Sequence, residues 1–199
     1  NGTDIQIDAD QYLRYNKLTS LLEAKGNVVL EDRSKNVTTY TDEIIYLLNE
    51  EKISTLGETN INIKDEYNID GSDLTLLRDK MILSSDKKAI IYDNNLNIYK
   101  LEQFQYSINE EIIKGKKVNF TRNEKKDKID KYFFETGFFD LKNEKFLGKD
   151  IDIKFHKTMF ENKENDPRVS GVSGYGDELN TYVDKAVFTT CKKTDKCPP

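Results

Sequence analysis

From Asp4 to about Lys157 the chain is written in short segments that alternate apolar and polar residues. Ile5-Gln6-Ile7, Asn60-Ile61-Asn62-Ile63-Lys64 and Asp150-Ile151-Asp152-Ile153-Lys154-Phe155 are three of them, and Phe104, Tyr106, Ile108 and then Val118, Phe120 keep the same period. A period of two places every second side chain on one face, so each segment predicts a strand with one buried and one wet face. Tyr, Phe, Ile and Thr suit such a pleated, half-buried surface. Breaks fall at 32–36, 49–52, 93–95, 109–111 and 123–127, where turn formers or charges cluster. The denser apolar runs Asp42–Leu48 and Asp73–Leu83 could be scored as amphipathic helices. They are assigned as strands because both end in polar clusters and fall inside a repeat.

That repeat is marked by glycine. Gly26, Gly57, Gly115 and Gly148 are each followed, after one to three polar residues, by an alternating strand. Their spacing is about 30 residues, doubled once, which is the signature of stacked strand pairs that bury their faces on their neighbours. Glycine at such a point permits a positive φ or a tight corner where the strand turns into another layer. One expected glycine is missing, near Ser84-Ser85. Ordinary hairpin turns in an unrelated β-protein account for the spacing equally well.

Composition narrows the picture. Of 199 residues, 34% are charged and 36% belong to the hydrophobic set, so a thin two-sheet structure fits better than a thick core. The net charge of −5, with both signs mixed, lacks the basic face of a nucleic-acid binder. No apolar run approaches the length of a membrane-spanning helix. Beginning at Asn1, the chain is expected to be a processed or excised fragment. His156, the sole histidine, is expected at a rim, and no ligand spacing for a metal, no catalytic dyad and no phosphate loop is legible. The glycine-rich stretch Ser170–Gly176 reads as a flexible linker. The two cysteines, Cys191 and Cys197, sit six apart in the last nine residues, close enough to pair with each other.

Two segments carry a resemblance. Ala9-Asp10-Gln11-Tyr12 through Ala24-Lys25-Gly26-Asn27-Val28-Val29-Leu30, with Thr41-Asp42-Glu43-Ile44-Ile45-Tyr46 opening a next unit, resembles the repeat of the OstA-like family, which includes LptA, LptC and the N-terminal domain of LptD. Asp166-Pro167-Arg168, then Phe188-Thr189-Thr190-Cys191 and Cys197-Pro198-Pro199, is similar to the junction that joins the periplasmic part of LptD-type members to their barrel. A further cysteine that some of those members carry near the mature N-terminus is absent.

The resemblance implies an all-β fold, a twisted open β-jellyroll of two antiparallel sheets built from stacked hairpin repeats. It implies a jellyroll over residues 1–165, followed over 166–199 by a linker and a cysteine-containing junction to a C-terminal outer-membrane β-barrel. It implies a non-enzymatic role without cofactor or metal: lipopolysaccharide transport and outer-membrane assembly, on the periplasmic side of the outer membrane. An LptA-like soluble carrier and a purely structural β-repeat are the alternatives. The lipid slot is expected to be lined by Val28, Leu30, Ile44, Tyr46, Ile61, Ile63, Phe104, Tyr106, Val118, Phe120, Ile151, Ile153 and Phe155, as one apolar strip left incompletely filled between the sheets. Ile5, Gln6 and Ile7 are expected to form the edge strand that pairs with an LptA-like bridge protein. The implied partners are lipopolysaccharide, that bridge, the chain's own barrel and an LptE-like lipoprotein, with no nucleic acid. In such a member Cys191 and Cys197 form disulfides, at least one of them to the barrel.

Overall fold

The computed structural model describes residues 5–125, 128–160, 164–177, 179–192 and 197. Their regular structure is nearly all β, with a single turn of 3-10 helix at Leu48–Glu50. The strands, in chain order, are β1 (Ile5–Asp8), β2 (Tyr12–Asn16), β3 (Leu21–Asp32), β4 (Val37–Leu47), β5 (Lys52–Ile63), β6 (Tyr67–Ser72), β7 (Thr75–Leu77), β8 (Ile82–Ser85) and β9 (Ala89–Asp93). They continue as β10 (Ile98–Leu101), β11 (Gln103–Ser107), β12 (Ile112–Lys125), β13 (Lys128–Asp140), β14 (Lys145–Lys154), β15 (Arg168–Gly176), β16 (Thr181–Asp184) and β17 (Val187–Thr189). All-β architecture is what the alternation predicts. Asp42–Leu48 lies mostly in β4, and Asp73–Leu83 contributes β7 and the start of β8.

The chain divides into two compact units that exchange neighbouring segments. The first comprises Asn1–Asn94 and Glu102–Asn109, the second Asn95–Leu101 and Glu110–Pro199.

In the first unit each long strand serves two layers. One layer runs β1, the C-terminal half of β3, the N-terminal half of β4, the C-terminal half of β5, β6, β9. The other runs β2, the remaining halves of β3, β4 and β5, then β7, β8, β11. Every pairing is antiparallel. The strands change layer at a line of corners. In β3 the register shifts between Lys25 and Val28, where Gly26 has φ +85° and Asn27 φ +44°. In β5 the corner is Gly57, φ +86°, and between β6 and β7 it is Asp73, φ +51°. The left-handed conformation is cheap for Gly and tolerated by Asn and Asp. Asp73 and Gly57 close their shared corner with two bonds, Gly57 N–H to Asp73 Oδ1 at 3.0 Å and Asp73 N–H to Gly57 O at 3.2 Å.

A bend leaves backbone groups without ladder partners, and buried threonines take them up. Thr41 Oγ1 donates to Glu58 O at 3.2 Å, and Leu74 N–H donates to Thr55 Oγ1 at 3.0 Å. Thr59 links them, 3.0 Å from Thr41 Oγ1 and 2.8 Å from Thr55 Oγ1.

The second unit follows the same plan. One layer holds β10, the C-terminal half of β12, the N-terminal half of β13, the C-terminal half of β14, the start of β15 and β17. The other holds the remaining halves of β12 to β15, with β16. Here the left-handed residue follows the repeat glycine by two: Lys117 (φ +46°) after Gly115, Asp150 (φ +49°) after Gly148. Those glycines serve packing instead. Gly115, Gly137, Gly148 and Gly174 stand in register on four adjacent strands. A Cβ on Gly137 would come within 2.8 Å of the Phe139 ring, one on Gly174 within 2.8 Å of Ile151, and one on Gly148 would overlap the Phe134 ring. The row is a floor without side chains on which large inward residues lie.

Ser170–Gly176, expected as a linker, belongs to β15 and pairs along β14 from Arg168↔Lys154 to Gly176↔Phe146. Its glycines leave room for neighbours rather than loosen the chain: Gly174 for Ile151, Gly176 for Phe146 and Gly171 for Val183.

Candidate functional site

The space between the layers is the candidate site, because it gathers the residues the alternation singles out. In the first unit Val28, Leu30, Ile44, Ile61, Ile63 and Tyr106 are at most 2% exposed, and Tyr46 and Phe104 are nearly as deep. In the second unit Val118, Phe120, Ile151 and Ile153 are buried. Phe155 differs. β14 ends at Lys154, the Phe155 N–H turns to Pro167 O at 3.0 Å, and the ring is half-buried. Side chains from both layers meet between them at the aromatic contacts.

Aromatic residues dominate that meeting in the second unit. Tyr99, Phe120, Tyr132 and Phe134 come from one layer, Phe139 and Phe146 from the other. Tyr99 and Phe120 stack at 4.7 Å, while Phe139 meets Tyr99, Phe120 and Phe134 edge-on at 5.3–5.5 Å. Phe146 reaches Tyr132 at 5.4 Å and Phe134 at 5.6 Å. Edge-on contacts join the positive rim of one ring to the negative face of another. In the first unit Tyr67 and Tyr106 do the same across the layers at 5.7 Å. Tyr132, Phe134, Phe139 and Phe146 were not singled out from the sequence. Tyr132-Phe133-Phe134 and Phe138-Phe139 are apolar runs, which hide the period of two, and the inward parity changes between Phe134 and Gly137.

The inward rows are apolar or hydroxyl-bearing toward the corner and finish charged at the opposite lip. In β3 the row is Val28, Leu30, Asp32; along β7 it is Leu74, Leu76, Arg78; toward β5 it is Glu51, Ile53, Thr55. Asp32 belongs to one layer, Arg78 and Glu51 to the turns of the other. Arg78 Nε donates to Asp32 Oδ2 at 2.5 Å, its Nη1 to Glu51 Oε2 at 2.8 Å and its Nη2 to Ser34 Oγ at 3.3 Å. Tyr46 OH donates to Glu51 Oε2 at 3.3 Å. Asp32 is 2% exposed and Arg78 14%, so this ion pair is largely shielded from water. Hydrogen bonding to Asp32, helped by Glu51, raises the Arg78 pKa despite burial. Burial pushes the Tyr46 phenol up, with Glu51 adding to it.

The second unit has a counterpart. The row Val118, Phe120, Arg122 finishes in an arginine whose Nη1 donates to Asp177 O, at the end of β15 in the opposite layer, at 3.1 Å. Asp130, the cross-strand partner of Arg122, is buried and accepts the His156 N–H at 2.8 Å. Burial pushes the Tyr132 phenol up, opposed by Arg122 and by a hydrogen bond with Thr181.

The two halves of the sequence motif meet in space. Asp10 N–H donates to Gly26 O at 2.8 Å, Gln11 N–H to Lys25 O at 3.0 Å, and Asn27 Nδ2 to Asp10 Oδ2 at 2.8 Å. Ala9-Asp10-Gln11 carries the chain from β1 to β2, so one set of bonds locks two corners together.

Ile5–Asp8 form β1, paired with Asp32–Val29 of β3. At the other end of the chain Cys191 and Cys197 form a disulfide, with Cα atoms 6.5 Å apart. Arg168 holds this tail: its Nη1 donates to Cys191 O at 2.7 Å, and its Nη2 lies 3.4 Å from Cys197 Sγ. Lys192 pairs with Glu164. Among the described residues no group of His, Cys, Asp and Glu could hold a metal ion.

No family model and no curated protein matches the chain. Among solved structures it is similar to LptH, the LptA-homologous periplasmic component of the lipopolysaccharide transport device of Pseudomonas aeruginosa, with 11% identity over 70% of this chain and 80% of that one and a TM-score of 0.29. At that score the likeness carries no argument about function.

Proposed function

We propose that this protein carries lipopolysaccharide, taking the acyl chains between its two β-layers and leaving sugars and phosphates in solvent. The observation that carries the reading is the corner at Asp10, Gln11, Gly26 and Asn27, where the two separated halves of the OstA-like motif are bonded into one unit. Exposing an acyl chain to water costs about 0.8 kcal/mol per CH₂, so ten carbons amount to roughly 8 kcal/mol per chain. A path across an aqueous compartment therefore needs a continuous apolar surface, and the inward rows offer one of aliphatic and aromatic groups that bind no chain by specific polar contacts. Nothing in this role calls for an enzyme or a cofactor.

In the fuller version the chain is the periplasmic part of an LptD-type protein at the outer membrane. Ile5, Gln6 and Ile7 of β1 then pair with an LptA-like bridge by strand addition, and the tail after β17 leads to a barrel that an LptE-like lipoprotein accompanies. The local Cys191–Cys197 pair favours a second reading, a soluble LptA-like carrier, because both cysteines of the chain are satisfied within it. Mass spectrometry of the cysteines in cells separates the two: a bond to a barrel supports the first, an exclusively local bond the second.

The test of transport is photocrosslinking in cells from Phe120 or Ile153, which face inward, with Asn119 and Lys131 as outward controls. Adducts with lipopolysaccharide are expected at the inward positions alone. Their absence from every inward position leaves a structural β-module as the better reading.

A further inference from the structure

The layers of the first unit are held together at opposite margins by different means. At the corners the chain is continuous, so the layers cannot part there. Among the described residues no strand crosses at the lip. Asp32 stands five residues beyond Asn27 and Arg78 five beyond Asp73, so each layer reaches about 17 Å from corner to lip at the rise of an extended strand. What spans the lip is the cluster of Asp32, Ser34, Glu51 and Arg78 described above. The three charged members end rows that are otherwise apolar or hydroxyl-bearing.

An ion pair suits such a place better than another leucine. Apolar groups brought together resist parting in water at every point, whereas charges regain hydration when they separate. A shielded pair is therefore firm while closed and leaves two well-hydrated halves when open. The second unit repeats the device in another form, since Arg122 of one layer reaches the Asp177 carbonyl of the other.

We propose that the mouth between the β3–β4 turn and the β7–β8 turn is where an acyl chain enters the first unit, and that the Arg78–Asp32–Glu51 cluster is the clasp that gates it. This rests on the lipid-carrier reading. When the clasp parts, the rows Val28–Leu30 and Leu74–Leu76 become reachable from solvent along their length, while the corner bonds keep the layers hinged.

The clasp is tested on the full chain. Arg33→Cys and Lys80→Cys place one thiol on each side of the mouth at exposed residues outside the clasp; the native cysteines are already paired. Spin labels there report the width of the lip, and a bis-maleimide across the same thiols locks it. Arg78→Gln is expected to broaden the label distance and to speed capture of purified lipid A about tenfold, the change that follows when the open form becomes ten times more populated. Because Arg78→Gln strands a buried carboxylate, the neutral combination D32N/E51Q/R78Q is measured beside it and is expected to behave alike. Lipid A is expected to widen the lip of the unsubstituted clasp, and the locked protein is expected to lose capture. If the locked protein captures lipid A as fast as the unlocked one, or if neither clasp variant moves the labels, the proposal is overturned while the carrier reading stands. If the labels respond but no variant captures lipid A, the carrier reading fails and the gate falls with it.

Discussion

Tyr132 shows how much a single position contributes to the aromatic interior of the second unit. Its ring lies in the aromatic cluster, and its hydroxyl reaches toward Arg122 and Thr181 near the lip of the second unit. Burial disfavours the phenolate, so its folded pKa is raised. The sign follows from linkage: a raised folded value contributes stability that is complete below the unfolded value, about 10, and is lost as pH rises through the folded one. Absorbance titration is expected to show Tyr132 and Tyr46 ionising after the exposed tyrosines, together with a fall in stability over that interval. Tyr132→Phe is expected to remove one late-ionising group and to lessen that fall. A Tyr132→Phe protein with an unchanged alkaline profile would show that the phenol is not held in this way.

The strands were legible to the extent that their alternation was unbroken. Ile61 and Ile63, or Ile151 and Ile153, announce their inward face because a polar residue separates them. The aromatic strand β13 hides its own, since Phe133 and Phe138 put large rings on the outer face as well. The repeat glycines were found, but only half of their reason was visible. Gly57 is needed for its φ of +86°, with nothing near the place a Cβ would take. Gly148 is needed because the Phe134 ring occupies that place, a reason that exists only once β13 and β14 are paired. The two glycines therefore respond differently to alanine. Gly57→Ala is expected to cost about 1–2 kcal/mol through backbone strain, and Gly148→Ala about 1–3 kcal/mol through overpacking. Phe134→Leu in the same chain is expected to recover part of the Gly148→Ala loss and none of the Gly57→Ala loss. Denaturant unfolding of the three single and two double variants reads this as a coupling energy. Equal coupling at both glycines would refute the distinction. The clasp was missed for a related reason. Arg78 and Asp32 sit in clusters that look like turns, and only a period of two carried one step past Leu76 and Leu30 brings them inward.

Across the chain one plan is used twice. Long strands bend at a line of left-handed residues, their halves build two antiparallel layers, apolar rows fill the space between, and polar residues close the lip. An all-β fold of this kind follows from the alternation and the turn clusters. Which rings meet across the layers does not, because alternation tells which face is buried and not what lies against it. A carrier of the proposed kind takes an acyl chain between its layers, so occupancy of the interior is the decisive observable.

That occupancy is measured by solution NMR with methyl-labelled isoleucine and purified lipopolysaccharide carrying protonated acyl chains. The expected result is magnetisation transfer from acyl CH₂ groups to the methyls of Ile61, Ile63, Ile151 and Ile153, with none to Ile129, which lies exposed on β13. Transfer confined to Ile129 and other outward methyls, or none to any inward isoleucine at saturating lipid, would contradict the account.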